Sequence, residues 1–320
     1  MQAPAVGSYE LLCRANRLNE ELGMPGGARA ITTRLVAVSK STTVRTSDGY
    51  DLCCHARLAE VRRPDLVLVP AFDGPILEQL ELNRMVVPWL RSKRAAGATL
   101  ASICTGAFAL AEAGLLDGVP ATTHWAAQDL FRSRYPRTIV RPQDTIVDAG
   151  PVITSGGAYS FVNLVLYLVD KLLGREVAER ASRVCLVDVN KAPQGSYADL
   201  SARKNHTDKT ILRVQGLIED KLAEDLTVAR LAAEIRLSRR QLLRRFKEAT
   251  GMPPSEYLQC VRVEAAKKAL TGSREPLDEV AWTVGYTDVP GFRKAFARLT
   301  GLTPSEYRRR NRISWQTAPA

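Results

Sequence analysis

The side chain with the most latent chemistry is Cys104, in Ser102-Ile-Cys-Thr-Gly-Ala-Phe108, where an apolar run gives way to a helix-like one. A thiol at such an elbow projects from a sheet edge, and the amides that follow can favour its thiolate, while Gly106 permits the tight turn. Taken alone, strand, Cys and Gly also describe an inert buried cysteine. His124, in Ala121-Thr-Thr-His-Trp125, is the residue type that serves such a thiol as base or hydrogen-bonds a ligand, and a core histidine fits equally well. Thr154-Ser-Gly-Gly-Ala-Tyr159 leads into a helix N-terminus, either an anion-binding turn or an ordinary glycine-bearing one.

A second kind of chemistry is ionic. The chain of 320 residues carries a formal charge of +11, and residues 201–320 hold 23 Lys/Arg against 14 Asp/Glu. Excess positive charge in the C-terminal third fits an acidic polymer such as double-stranded DNA, or a solvated basic face. The six cysteines form no C-x-x-C pair and no ordered spacing with the three histidines, so neither a metal site nor a disulfide framework is expected, and no cofactor is expected either. The longest apolar stretch, Phe161 to Val169, falls short of the ~20 residues a membrane span needs. With no signal-peptide pattern, the expected location is a reduced cytoplasm, without membrane contact.

Elements that could position these residues follow from periodicity. Leu66-Val-Leu-Val-Pro70 and Thr99-Leu-Ala-Ser-Ile-Cys104 are apolar without alternation, as parallel strands covered on both faces are. Ala121–Trp125 reads as another strand, and 145–154 as a hairpin around a glycine turn. Helices are expected over 76–96, 106–113, 158–173 and 176–187. The N-terminal part is therefore an α/β layer fold, and the polar 190–207 segment is the expected linker. Beyond it every segment reads as helix.

Those helices repeat. Phe246-Lys-Glu-Ala-Thr-Gly-Met-Pro-Pro-Ser-Glu-Tyr257 recurs as Phe296-Ala-Arg-Leu-Thr-Gly-Leu-Thr-Pro-Ser-Glu-Tyr307. Each copy reads as a short helix, a tight turn and a longer amphipathic helix. In the first, Ser238 caps, Leu242, Leu243 and Phe246 are expected inward, and Arg239, Arg240, Gln241, Arg244 and Arg245 outward toward phosphates and base edges. In the second, Thr287 or Asp288 caps, Phe292 and Phe296 go inward, and Val289, Arg293, Lys294 and Arg298 lie outward. Pro290-Gly291 offers few donors, so the second helix is expected to read less sequence than the first.

Residues 208–312 resemble the AraC/XylS family, which presents two helix-turn-helix motifs to successive major grooves. Arg236 departs from the glycine often found in the first turn. Ile103 to Gly118, followed by Ala121 to Trp125, resembles the PfpI/DJ-type superfamily in its GlxA-type form, fused to AraC-type domains. That resemblance implies a flavodoxin-like (class I glutamine amidotransferase-like) parallel sheet sandwich over 1–189, followed by an all-α DNA-binding domain over 208–312 and a tail, 313–320. It also implies a sensor cleft for a small, often nitrogen-containing metabolite, built from Asp73, Cys104, Thr105, His124, Ser155 and Tyr159. A homodimer, contact with RNA polymerase and activation are expected on the same ground. Three departures argue against catalysis by Cys104 and His124. Thr105 stands where many of the enzymes have histidine, Pro70-Ala-Phe-Asp-Gly74 replaces a Pro-Gly-Gly type loop, and Met1–Glu10 aligns after the family's first strand, so that strand and its acidic residue are expected to be missing. A cysteine-dependent amidase or glyoxalase with a DNA-binding tail is the alternative.

Overall fold

A computed structural model of the chain describes residues 2–22, 30–187, 200–204, 206–273 and 275–311. Most of the expected linker and the whole expected tail lie outside those residues. The chain divides into two compact units, residues 1–191 and 192–320.

The first unit is built on a sheet of order β5 (Leu66–Val69), β6 (Thr99–Ile103), β10 (Val152–Ser155) and β9 (Ile146–Asp148). The first three run parallel, and β9 returns antiparallel through Gly150, whose φ is +81°. Smaller pairs flank it: β1 (Val36–Ala37) with β4 (Ala56–Arg57), the hairpin β2 (Thr43–Arg45) with β3 (Asp51–Cys53), and β7 (Pro120–Ala121) with β8 (Ile139–Val140). The strand expected over 121–125 is therefore only its beginning. Among the described residues no strand pairs with the outer edge of β5.

Helices cover both faces, which is why β6 is buried along nearly its whole length. Leu100 and Val152 pack in one core with residues of α3 (Val86–Ala95), α4 (Ala107–Glu112) and α5 (Gln128–Arg134). Ala101, Ile103 and Ile153 turn the other way, toward Phe161, Leu164 and Leu168 of α6 (Phe161–Leu173). Beyond them Leu11, Leu12, Ala15 and Leu18 of α1 (Ala3–Glu21), a helix absent from the sequence expectation, pack against α6 and α7 (Arg175–Val184). The helix expected over 76–96 is broken into α2 (Ile76–Leu82) and α3. A continuous helix would drive the ring of Pro88 into the carbonyl of Arg84. Asn83 instead closes α2, donating from its side-chain amide to the Gln79 carbonyl at 2.8 Å.

The second unit is helical throughout its described residues: α8 (Lys209–Asp220), α9 (Val228–Glu234), α10 (Arg239–Thr250), α11 (Pro254–Gly272), α12 (Leu277–Thr283), α13 (Val289–Thr300) and α14 (Pro304–Asn311). It has two cores, and α11 serves both. Tyr257, Leu258 and Val261 join Ile211, Leu231, Leu242 and Phe246, whereas Val263, Ala266 and Leu270 join Val280, Phe292 and Phe296.

Candidate functional site

The two halves of the second unit repeat in their hydrogen bonds as well as their letters. In the first turn the amides of Arg236 and Leu237 reach back to the carbonyls of Ala233 and Ala232, at 3.1 and 3.0 Å; in the second Gly285 and Tyr286 reach Trp282 and Ala281, at 2.9 and 3.0 Å. Both closures are the left-handed type, with φ of +56° at Arg236 and +86° at Gly285. Arg236 thus adopts the conformation that glycine would take. Each second helix is then capped: Ser238 and Gln241 form a reciprocal capping box on α10, and Asp288, not Thr287, accepts from Gly291 at 2.6 Å on α13. Gly251 and Gly301 stop them, at φ of +78° and +74°. Thr250 and Thr300 each donate to the carbonyl four residues back, at 2.7 and 2.8 Å. Two helix-turn-helix units of one design result.

What each offers to solvent is unequal. Arg239, Arg240, Gln241 and Arg244 are exposed on α10, although Gln241 commits its carbonyl to the cap and Arg244 reaches Glu248 at 3.4 Å. Arg245, expected outward, is not available in the same way: its guanidinium holds Asp208 with contacts of 2.8, 2.9 and 3.1 Å. Asp208 is also the cap of α8, accepting from Thr210 and Ile211. Partial burial pushes its carboxyl up, but the Ile211 amide and Arg245 together hold it below the usual carboxylate range. Arg203 donates to the Thr250 carbonyl at 2.8 Å, so residues before α8 hold α10 at a second point.

On α13, Arg293, Lys294 and Arg298 are exposed, and Arg298 reaches Gln259 of α11. Val289, expected outward, is half-buried against the second core. Leu243, expected inward, is exposed: Leu242 and Phe246, four residues apart, already fill the α10 stripe, and a neighbour turned by ~100° cannot join it. The missed signal lay in that spacing.

In the first unit the loops at the carboxyl ends of β5, β6, β7 and β10 gather around Cys104, the usual crevice of such sheets. Cys104 has φ of +56°, a strained elbow, and Gly106 is obligatory, since a Cβ there would stand 2.5 Å from the Val69 carbonyl oxygen. Yet Cys104 is only 5% exposed, among Ala71, Ile103 and Phe161. Burial pushes its thiol up to about 11, against the lowering effect of Thr105. Thr105 Oγ1 also accepts the Phe72 N–H at 2.8 Å, occupying an amide of the loop where an oxyanion would be held.

His124 is not a strand residue but the cap of a short turn, its Nδ1 accepting from Ala126 at 3.2 Å. Burial holds its imidazole below the ordinary value. Its neighbour Thr123 donates to the Cys104 carbonyl at 2.9 Å, and the His124 ring borders Gly157. Of the other expected pocket residues, Ser155 is buried and donates to the Ser102 carbonyl at 3.3 Å, whereas Asp73 and Tyr159 are exposed. The Ser47 hydroxyl, donating to Asp73, holds that carboxyl below its usual range. The loops thus come together, while only Asp73, His124 and Tyr159 present much surface.

A flavodoxin-like α/β unit with a cysteine elbow, followed by a pair of helix-turn-helix motifs, defines a two-part protein, and known families match each part. The DJ-1/PfpI family model matches residues 2–171, and a helix-turn-helix domain model matches residues 231–310. The chain belongs to the DJ-1/PfpI family and carries an AraC-type helix-turn-helix domain. It is 29% identical over 266 residues to the HTH-type transcriptional regulator CdhR of Pseudomonas aeruginosa, covering 83% of this chain and 78% of that one. To the HTH-type transcriptional regulator GlxA of Rhizobium meliloti it is 29% identical over 272 residues, covering 84% and 82%. A shorter match, 33% over 138 residues and 42% of this chain, is to 58% of the isonitrile hydratase of Pseudomonas putida. In fold it is similar to a crystallised Vibrio parahaemolyticus protein, a proposed transcriptional regulator, with a TM-score of 0.51 at 22% identity over 57% of this chain and 92% of that one. No described helix is long and apolar enough to cross a membrane.

Proposed function

We propose that the chain is a transcription regulator whose helical unit binds promoter DNA and whose α/β unit senses a small metabolite without turning it over. The observation that carries this reading is the pair of equivalently capped helices, α10 and α13, exposing Arg239, Arg240, Arg244, Arg293 and Lys294 on two like-built supports. Phosphate contacts by these cations supply most of the affinity, and α10 reads more sequence than α13, whose first turn carries Pro290 and Gly291. The relatives CdhR and GlxA are named as transcriptional regulators, and their matches span both units.

Activation through RNA polymerase, a homodimer and a cytoplasmic location complete the reading. The effector is a small nitrogen-containing metabolite that meets Asp73, His124 and Tyr159 above the Cys104 elbow. It alters transcription by preferring one arrangement of the protein over another. Footprinting of the full chain on DNA upstream of neighbouring genes, with amino acids and betaines present and absent, tests this directly. Protection that shifts with one compound supports it, and absence of protection under all conditions overturns it.

A cysteine-dependent enzyme is favoured by the strained backbone of Cys104 and by the isonitrile hydratase match. Against it stand the protonated thiol and the occupied Phe72 amide. Turnover of isonitriles, amides or glyoxals that Cys104→Ser abolishes would reverse the preference.

A further inference from the structure

The arginine-bearing face of α10 contains one side chain that cannot bind a phosphate. Leu243 is 41% exposed, while Leu242 and Phe246 are fully buried. It stands three residues after Arg240 and next to Arg244, so that 240, 243, 244 and 247 follow the i, i+3, i+4, i+7 spacing of one helix face. Every other member of that set is Arg or Lys.

Leu243 belongs neither to the buried residues of that core nor to the partly buried apolar side chains packed against it. The equivalent position in the second copy, fifty residues on, is the exposed Arg293, so the repeat architecture does not require an apolar residue either. In a major groove only one base edge offers an apolar partner, the C5-methyl of thymine.

Resting on the DNA-binding reading above, we infer that Leu243 is a specificity-determining residue that reads a thymine methyl between the bases contacted by Arg240 and Arg244. The helix then combines two cationic donors, suited to guanine O6 and N7, with one methyl contact set between them. Leu243 adds discrimination rather than bulk affinity, because it makes no phosphate contact.

The test uses the full chain and a random-sequence duplex library. Selection is expected to enrich a motif with an invariant thymine. Replacing that dT by dU removes a single methyl and should weaken binding about fourfold, the worth of one buried methyl group. Leu243→Ala should bind dT and dU duplexes equally while keeping a cooperative melt, since Leu243 lies outside the buried core. Leu243→Gln should shift the preferred base at the same position to adenine. An unaltered affinity on every dU duplex overturns the inference, as does a dU penalty that persists in Leu243→Ala. Failure of the library to enrich any motif overturns the sequence-reading assignment itself, a distinguishable result.

Discussion

The Phe72 N–H and the Thr105 Oγ1 are hydrogen-bonded at 2.8 Å, and this contact ties the loop after β5 to the residue that follows Cys104. A hydroxyl side chain thereby fills a donor that an acyl-transfer enzyme would leave open for its oxyanion. With the thiol pushed up to about 11 by burial, Cys104 is protonated at neutral pH. Alkylation by iodoacetamide, followed site by site by mass spectrometry, should therefore modify the exposed Cys53 and Cys185 long before Cys104 at pH 7.5. The Cys104 rate should keep climbing beyond pH 9. A Cys104 rate that reaches its plateau near pH 7 would contradict the structure.

His124 predicts a pH dependence from the same cause, burial, with the shift in the opposite direction. Its folded pKa is depressed, so its contribution to stability is present above the ordinary histidine value of about 6.5 and is lost as pH falls through the folded value. Protonation at Nδ1 also removes the acceptor for the Ala126 amide. The melting temperature of the α/β unit should drop between pH 7 and 5, and His124→Asn should flatten that slope. Parallel curves for the two proteins would count against it.

Arg240 and Arg245 sit on the same helix and should behave differently. Arg240→Ala should lower operator affinity by about 1–3 kcal/mol, the worth of a good bidentate base contact, with an unchanged melt. Arg245→Ala should lower the melt of the helical unit by breaking the Asp208 pair, worth about 0.5–1 kcal/mol at this partial exposure. Asp208→Ala, which also removes the α8 cap, should cost about 1–2 kcal/mol. Denaturant melts and gel-shift titrations on all three variants decide the matter, and equal effects of both arginines on affinity would refute the distinction.

The two turns give a matched pair of backbone tests. Gly285→Ala combines a left-handed φ with a Cβ 2.7 Å from Ala223 Cα, and should destabilise the helical unit by about 2–4 kcal/mol. Arg236→Gly relieves the same conformation and should stabilise by about 0.5 kcal/mol, net of the added freedom of the unfolded chain. Urea midpoints moving in the same direction would show that the turns are not equivalent.

Legibility in the sequence followed how local each determinant is. The Ser238 cap acts on an amide three residues on and could be read directly, whereas the second cap could be narrowed only to Thr287 or Asp288 until the Asp288 contact to Gly291 was seen. The strands β5 and β6 were equally plain, because two covered faces leave an unbroken apolar run. Leu243 was misplaced because two adjacent leucines look alike until the i, i+4 partner of one is weighed. Arg245 was misread for a different reason: its partner Asp208 is 37 residues away, and no pattern in the letters joins them. The Thr105–Phe72 contact and the pairing of α1 with α6 likewise depend on chain folding over long separations.

One strut, α11, belongs to both cores of the helical unit, and its 19 residues span ~28 Å at 1.5 Å each. The pitch between the two reading heads is thus a property of a single stiff rod, not of a flexible tether. An extra base pair placed between the two contacted stretches would rotate one of them by roughly 35° about the duplex axis. With both helix-turn-helix units packed on one helix, promoter spacing should be as tightly constrained as promoter spelling.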